Sequence, residues 1–365
     1  MSIIQVTLLV LVKETASNNT RRAASAPVAG RTRPRQILLA MKKRGFGKGW
    51  YNGTGGKVQD GETPIDACVR ETCEEIGITP IFVDHATNTR NAPKPVGDIL
   101  FDQISPHGGR GFMRMHVFYA NDFTGELQET DEMRPEWFDI DKIPYDKMFP
   151  DDRHWLPLVL ANKIVRAKFK FDDKFNLIKK SVIEVPEIGE EIFDVLDENG
   201  GYTGEIVGRT YAHDHGIWHR GVGLYLVNSK KQILLQKRPK NKRMYGGCWD
   251  MSAAGHIEAG EFGLDAIIRE TKEELGISVT AADIRFLDCG RSMRKTDTTD
   301  DRHFNERYAV FRDVKIADIK YNCADVDEIR WFDFAQFKTL VENRDPTISG
   351  KWDAHELLVK YLESV

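Results

Sequence analysis

One acidic pattern is written twice in this chain, and any fold it adopts must accommodate both copies. The pattern is G-x5-E-x7-R-E-T-x-E-E-x-G-I. Its fixed places are Gly56, Glu62, Arg70, Glu71, Glu74, Glu75 and Gly77 in the first copy. In the second they are Gly255, Glu261, Arg269, Glu270, Glu273, Glu274 and Gly276. At ordinary residue usage, seven fixed positions coincide by chance about once in 10^8 starting points. With 365 residues the chain has room for two domains of ordinary size, one per copy. The organisation implied is a duplicated domain, not a short-period solenoid.

Each copy reads as a helix stopped by a glycine. In Pro64–Ile76 the proline suits the first helical position, and Gly77 ends the run. Ile65, Cys68, Val69, Thr72 and Ile76 make an inward stripe, which leaves Glu71, Glu74 and Glu75 on the other face. Like charges at that spacing repel, so a helix that carries them needs a cation to hold. The second helix covers Leu264–Leu275 and ends at Gly276. No Cys/His zinc spacing surrounds either set of glutamates, which points to Mg2+, with Mn2+ as a substitute. Such an ion bridges phosphate oxygens and activates water. A glycine-rich approach lets backbone come close to metal and phosphate, and Arg70 can pin the glutamates by charge-assisted hydrogen bonds. The reaction class that follows is hydrolysis of a diphosphate linkage by in-line attack of water at phosphorus.

Strand patterns recur around both helices. They fall at Ile3–Val12, Ile37–Met41, Ile99–Ile104, Met115–Tyr119 and Glu136–Asp139, with a hairpin at Ala167–Phe171 and Leu177–Val185. Lys13–Pro34 reads as a mobile polar insertion, and a helix is expected over Asp152–Asn162. The short acidic stretch Pro186–Glu190 marks a linker between domains at 1–185 and 191–365. Beyond it, Glu191–Leu196, Gly221–Val227, Gln232–Lys237, Tyr308–Arg312 and Arg330–Phe334 read as strands, and Trp352–Leu362 as a closing amphipathic helix.

Composition narrows the partners. The chain is 41% hydrophobic and 30% charged, with a net charge of −4, which disfavours a nucleic-acid coat or a polybasic membrane surface. Free nucleotides remain suitable, since a bound metal neutralises their phosphates. No apolar run reaches the roughly 18 residues of a membrane span, and Ile3–Val12 reads as a buried first strand, not a signal peptide. Five cysteines without a C-x-x-C pair suggest reduced thiols and a cytoplasmic setting. A monomer or homodimer acting on small molecules is the expectation.

Both patterns resemble the Nudix box, the mark of hydrolases of nucleoside diphosphates linked to another group. The resemblance implies an α+β fold of two tandem Nudix domains, each a mixed sheet between helices. It implies that Glu71, Glu74, Glu75 and the Gly55 carbonyl hold metal in the first domain, and Glu270, Glu273 and Glu274 in the second. Glu74, Glu75, Glu273 and Glu274 are then the catalytic carboxylates.

The first half is similar to one branch, the eukaryotic oxidised-purine nucleoside triphosphatases. The likeness rests on Met41–Gly47 (M-K-K-R-G-F-G), Asn52–Val58 (N-G-T-G-G-K-V), Asp131–Pro135 (D-E-M-R-P) and Phe149–Asp152 (F-P-D-D). It implies that Asn52, Asp151 and Asp152 read the purine edge. Phe46 and Phe149 then line the base pocket, with Phe149 where the family has a tryptophan. Thr7, Lys42 and Met113 also fall in the substrate site, and Glu132 near the metal. The implied activity converts oxidised purine nucleoside triphosphates (the 8-oxo-dGTP and 2-hydroxy-dATP type) to monophosphate and pyrophosphate, which sanitises the nucleotide pool and so serves DNA repair. On the residues alone, Asp151 and Asp152 could share a proton in one apolar pocket or simply cap the following helix.

The second half resembles the isopentenyl-diphosphate isomerase-like Nudix group, through His213, His219-Arg220 and the word Trp249–His256 (W-D-M-S-A-A-G-H). The isomerases' cysteine is missing from that word, and Phe304-Asn305-Glu306 stands where they have Glu-Asn-Glu. The complete box favours hydrolysis of an unidentified diphosphate. A prenyl-diphosphate isomerase and a non-catalytic binding module remain the alternatives. His213, His219, His256 and Glu306 form a candidate second metal site.

Overall fold

The computed structural model describes residues 3–15, 34–82, 94–104, 110–296 and 299–364. The expected polar insertion at Lys13–Pro34 lies almost entirely outside them. The chain divides into two compact units, Met1–Glu190 and Glu191–Val365.

The first unit is built from β1 (Ile4–Glu14), β2 (Arg35–Lys42), β3 (Tyr51–Asn52), α1 (Pro64–Ile76), β4 (Ile78–Phe82), β5 (Gly97–Ile104), β6 (Arg110–Gly125), β7 (Met133–Asp139), α2 (Asp152–Leu160), β8 (Ile164–Phe171) and β9 (Leu177–Val185). Its sheet runs β3-β2-β1-β6-β5-β8-β9, with β4 on β6 and β7 on β2. The β1–β6 and β5–β8 pairs are parallel and the others antiparallel, so the sheet is mixed.

The near-continuous apolar run of β1 follows from burial on both faces. Leu8, Val10 and Val12 enter a core shared with Trp155, Leu156 and Val159 of α2. Leu9 and Leu11, pointing the other way, enter a core shared with Cys68 and Ile76 of α1. Each such side chain contributes about 1.5–3 kcal/mol of transfer free energy. α1 is held at both ends. Thr63 accepts the Asp66 N–H at 3.3 Å, Pro64 opens the first turn, and Gly77 closes the last at φ 77°.

The second unit repeats the plan behind a hairpin of its own, β10 (Ile192–Leu196) and β11 (Tyr202–Gly208). There follow α3 (Arg209–His215), β12 (His219–Val227), β13 (Ile233–Lys237), β14 (Trp249–Asp250), β15 (Ala253–His256), α4 (Gly263–Leu275), β16 (Ile284–Thr296), β17 (Thr299–Phe311), β18 (Glu328–Phe332), α5 (Phe334–Glu342) and α6 (Trp352–Ser364). The sheet order β14-β13-β12-β17-β16 again has a parallel central pair, β12–β17. Val222, Leu224 and Leu226 pack with Ala266 and Ile267 of α4, while Tyr225 and Val227 pack with α5 and α6 on the other face.

Two strands run far past their expected limits. β6 reaches Gly125, beyond the expected Met115–Tyr119, because β1, β5 and β4 all pair with it. β17 begins at Thr299, not Tyr308, because its polar half is laddered against β16 from Thr296 onward. In both, charged side chains hide the period-two pattern that would reveal a strand.

Candidate active sites

The two boxes fold into nearly the same atomic arrangement. In the first, the Arg70 guanidinium grips Glu62 twice, at 2.9 and 3.0 Å, donates to Glu71 at 2.8 Å and Glu74 at 3.3 Å, and reaches the Lys57 carbonyl at 3.1 Å. In the second, Arg269 grips Glu261 at 3.0 and 2.9 Å, donates to Glu270 at 2.7 Å and Glu273 at 3.2 Å, and reaches the His256 carbonyl at 3.0 Å. The last glutamate is tied to the glycine bend: Gly55 N–H donates to Glu75 Oε2 at 2.9 Å, and Ala254 N–H to Glu274 Oε2 at 2.9 Å. The three carboxylates of each helix are therefore graded, not equally exposed. Glu74 and Glu273 face solvent, Glu71 and Glu270 are half-buried, and Glu75 is buried.

Burial raises several of these acids. It is the main cause that pushes Glu75 up to about 7, with repulsion from Glu71 and Glu74 adding and the Lys42 ammonium opposing. It likewise lifts Glu270 to about 7 and Glu274 to about 8. Carboxylates that burial keeps protonated fit a hard divalent cation, which would replace those protons.

In the first unit the base-pocket candidates come together. Asn52, Asp152 and Trp155 line one narrow cavity with Leu8 and Met148. Asp151 is buried and accepts the Trp155 Nε1–H at 3.2 Å, while Asp152, also buried, accepts the Phe149 N–H at 3.1 Å. Asp151 occupies the N-cap place of α2, but makes no side-chain capping bond, so capping does not account for the pair. Burial lifts Asp151 to about 6; Asp152, with its neighbour's charge added, goes well above the usual carboxylate range. A proton kept on Asp152 by burial would leave the pair with one hydrogen-bond donor beside its acceptors.

Phe46 and Phe149 meet with ring centroids 5.7 Å apart. Met113 packs against the core that contains Trp155. Thr7 is buried, and its backbone N–H donates to the Gly56 carbonyl at 2.8 Å, which braces the glycine bend. Glu132 pairs with the Arg44 guanidinium.

In the second unit, Glu270, Glu273 and Glu274 line a cavity of about 560 Å3 together with His213, His256, His303, Arg238 and Lys351. Strand register equates Asp250, opposite Gln236, with Asn52, opposite Ala40. Asp250 is no free base reader. It is fully buried and held by Lys351 at 2.7 Å, Ser349 at 2.8 Å and Arg238 at 3.4 Å.

The candidate second metal site changes one member. Ligand atoms of His213, His219, His256 and His303 lie within 4.8 Å of one another. His219 Nδ1 bonds the Ile217 carbonyl at 2.8 Å, which leaves Nε2 to face His213 Nε2 at 3.2 Å. Asp301 approaches His303 at 2.7 Å, and Glu191 approaches His256 at 3.2 Å. Burial holds His213 down at about 4 and lowers His219 and His256 well below the usual range, so their imidazoles are neutral and able to ligate. Glu306 is not among them. It pairs with Arg220 and accepts the Tyr308 hydroxyl at 2.5 Å. Alternation along β17 is the reason, since 301, 303 and 305 share one face and 304 and 306 the other. That same alternation is the signal by which His303 could have been found.

Comparisons with known proteins find one domain family in both halves of the chain. The NUDIX domain family matches residues 19–159 and again 217–351. The oxidized purine nucleoside triphosphate hydrolase of Danio rerio is 44% identical over 155 residues, which are 42% of this chain and 91% of that protein. The isopentenyl-diphosphate Delta-isomerase of Pectobacterium atrosepticum is 37% identical over 83 residues, 23% of this chain and 46% of that enzyme, so the match spans about half its length. The crystal structure of a MutT protein from Bacillus halodurans aligns over 49% of this chain and 97% of its own, with 22% identity and a TM-score of 0.37.

Proposed function

Because the chain belongs to the Nudix hydrolase family and carries that domain twice, we propose that it is a Mg2+-dependent enzyme with two separate diphosphate-cleaving centres. The first converts oxidised purine nucleoside triphosphates to monophosphate and pyrophosphate. The observation that carries this reading is the buried pair Asp151–Asp152, of which Asp152 lines one cavity with Asn52, in a half that is 44% identical over 155 residues to an oxidized purine nucleoside triphosphate hydrolase.

A divalent ion at Glu71, Glu74, Glu75 and the Gly55 carbonyl would neutralise charge on the phosphates and acidify the attacking water. The chain's own residues do the rest. Arg70 fixes Glu71 and Glu74 in place, and Gly55 N–H orients Glu75. Lys42, close enough to lower the Glu75 pKa, can meet phosphate oxygens. Asp151 and Asp152 hold the base edge, which selects the oxidised form. Cleavage outside the cell membrane is not part of this reading: cytoplasmic nucleotides are the proposed pool, and free thiols at all five cysteines support that setting.

The second centre hydrolyses a different diphosphate. Its box repeats the first, but Asp250 replaces the base-reading asparagine and is neutralised by cations. Isomerisation is disfavoured because Glu306 is spent on Arg220 and Tyr308, away from the histidines. The four imidazoles would suit a transition ion such as Zn2+ better than Mg2+. The test is a product assay of the full chain with Mg2+, using 8-oxo-dGTP, dGTP and isopentenyl diphosphate. Release of pyrophosphate from 8-oxo-dGTP in preference to dGTP is expected. Equal rates on both nucleotides sink the base-reading proposal, and allylic product from isopentenyl diphosphate sinks the hydrolase reading of the second domain.

A further inference from the structure

We propose that Phe175, carried by the turn between β8 and β9, is a specificity-determining wall of the first domain's base pocket. The inference rests on the oxidised-purine reading of that domain. Phe175 lies far from every sequence word that suggests a nucleotide site. In the fold its ring meets both aromatic candidates of the pocket, edge-on to Phe46 at 4.7 Å and to Phe149 at 6.0 Å. Phe171 stacks on its back at 4.4 Å with an interplanar angle of 6°, and Trp50 closes the group at 6.4 Å.

The backbone at this point is unusual for such a residue. Phe175 has φ 61°, in the left-handed region that a bulky side chain rarely adopts. The turn over-determines it. Asp172 Oδ1 accepts the N–H groups of Lys174 at 2.9 Å and Asn176 at 2.8 Å, and Oδ2 accepts the Asn176 side-chain amide at 2.9 Å. Phe175 N–H itself donates to the Asp172 carbonyl at 3.1 Å. Local strain held in this way persists where the surroundings demand one side-chain direction. Here that direction delivers an aromatic ring to the pocket.

The link to the base-reading acids is short. Phe175 abuts Phe149, whose N–H is held by Asp152. Phe149 can occupy its place because residue 47 is glycine; a Cβ there would lie 2.6 Å from Phe149 Cζ. The acid pair reads the edge of the base, and the Phe46–Phe149–Phe175 group supplies its face. Stacking is indifferent to edge chemistry but grows with ring area, so Phe175 sets preference for purines over pyrimidines.

The experiment uses the full chain carrying Glu274→Gln, so that nucleotide turnover reports the first domain, with and without Phe175→Gly. Glycine adopts φ 61° without strain, so this variant removes the ring while keeping the turn. The expected result is a KM for 8-oxo-dGTP raised about tenfold, kcat within about twofold and an unchanged circular dichroism spectrum, with a Tm lowered by the lost ring packing. Phe175→Tyr should restore KM to within about twofold. The 8-oxo-dGTP over dGTP ratio should hold, while preference over dCTP falls. An unchanged KM in Phe175→Gly overturns this inference alone. A chain with Phe175 intact that does not distinguish 8-oxo-dGTP from dGTP overturns the reading of the domain, and the inference with it.

Discussion

A Cβ on Gly56 would stand 2.3 Å from the carboxyl carbon of Glu71, and one on Gly255 would stand 2.1 Å from that of Glu270. The first glycine of each box is therefore the floor on which a carboxylate proposed as a metal ligand rests. Gly56→Ala should displace Glu71 and cut kcat/KM of the first centre by about 100-fold, the scale on which a displacement of about 1 Å acts. Circular dichroism should show the fold intact. Full activity in this variant would mean that Glu71 need not sit where it does.

Arg70 tests the same arrangement from the other side. Arg70→Lys keeps the charge but loses the fork that holds Glu62 at two points and Glu71 at a third. The Mg2+ concentration for half-maximal activity should rise about 10- to 100-fold, as for other groups that orient metal ligands. An unchanged Mg2+ dependence would show that the guanidinium only decorates the surface.

Stability of the metal-free protein should depend on pH in a stated direction. Glu75, Glu270 and Glu274 are raised from an ordinary 4.5 to about 7, 7 and 8. Between the unfolded and folded values the native state keeps protons that the unfolded chain has released, so stability falls as pH rises through each folded pKa. The buried histidines act oppositely until the unfolded imidazoles have lost their charge, at about pH 7.5, and so offset part of that loss. From pH 6.5 to 8.5 the chelated protein should therefore lose on the order of 2 kcal/mol. Mg2+, taking the protons' place, should recover more at pH 8.5 than at 6.5. Urea titrations with EDTA or Mg2+ read this, and a flat or rising metal-free profile contradicts it.

Asp151→Asn should spare phosphate binding and harm base choice. The amide oxygen can still accept from Trp155, so the fold should hold. The amide cannot exchange a proton with Asp152 as the carboxyl could, and the kcat/KM ratio of 8-oxo-dGTP to dGTP should fall about tenfold or more, the value of one buried hydrogen bond to a charged group. An equal loss for both nucleotides would assign the residue to general packing.

The imidazole cluster makes an independent prediction. Equilibrium dialysis should find a Zn2+ or Co2+ ion bound to the full chain, and His219→Ala combined with His303→Ala should release it. First-centre turnover with Mg2+ should not change. Retention of the ion by the double variant would place it elsewhere.

Local chemistry was the legible part of this chain. Thr63, Pro64 and Gly77 mark the ends of α1, and the box glutamates sit at helical spacing, so the site helix could be read residue by residue. Sequence placed Glu71, Glu74 and Glu75 on one open face, whereas Glu75 is drawn inward by Gly55 N–H. That bond joins residues 20 apart and leaves no periodic trace. His303 was hidden because its neighbours Arg302, Asn305 and Glu306 look like a surface turn until β16 is laid beside them. The exchange of Asn52 for a cation-bound Asp250 became visible only through strand register.

The central claim is that each acidic helix serves its own metal-dependent centre. It is tested most directly by measuring pyrophosphate release from 8-oxo-dGTP, with Mg2+, by the intact chain and by Glu75→Gln and Glu274→Gln. The account predicts that Glu75→Gln lowers kcat by at least about 100-fold, while Glu274→Gln keeps the intact rate. Near-normal turnover in Glu75→Gln, or equal loss in both variants, would contradict it.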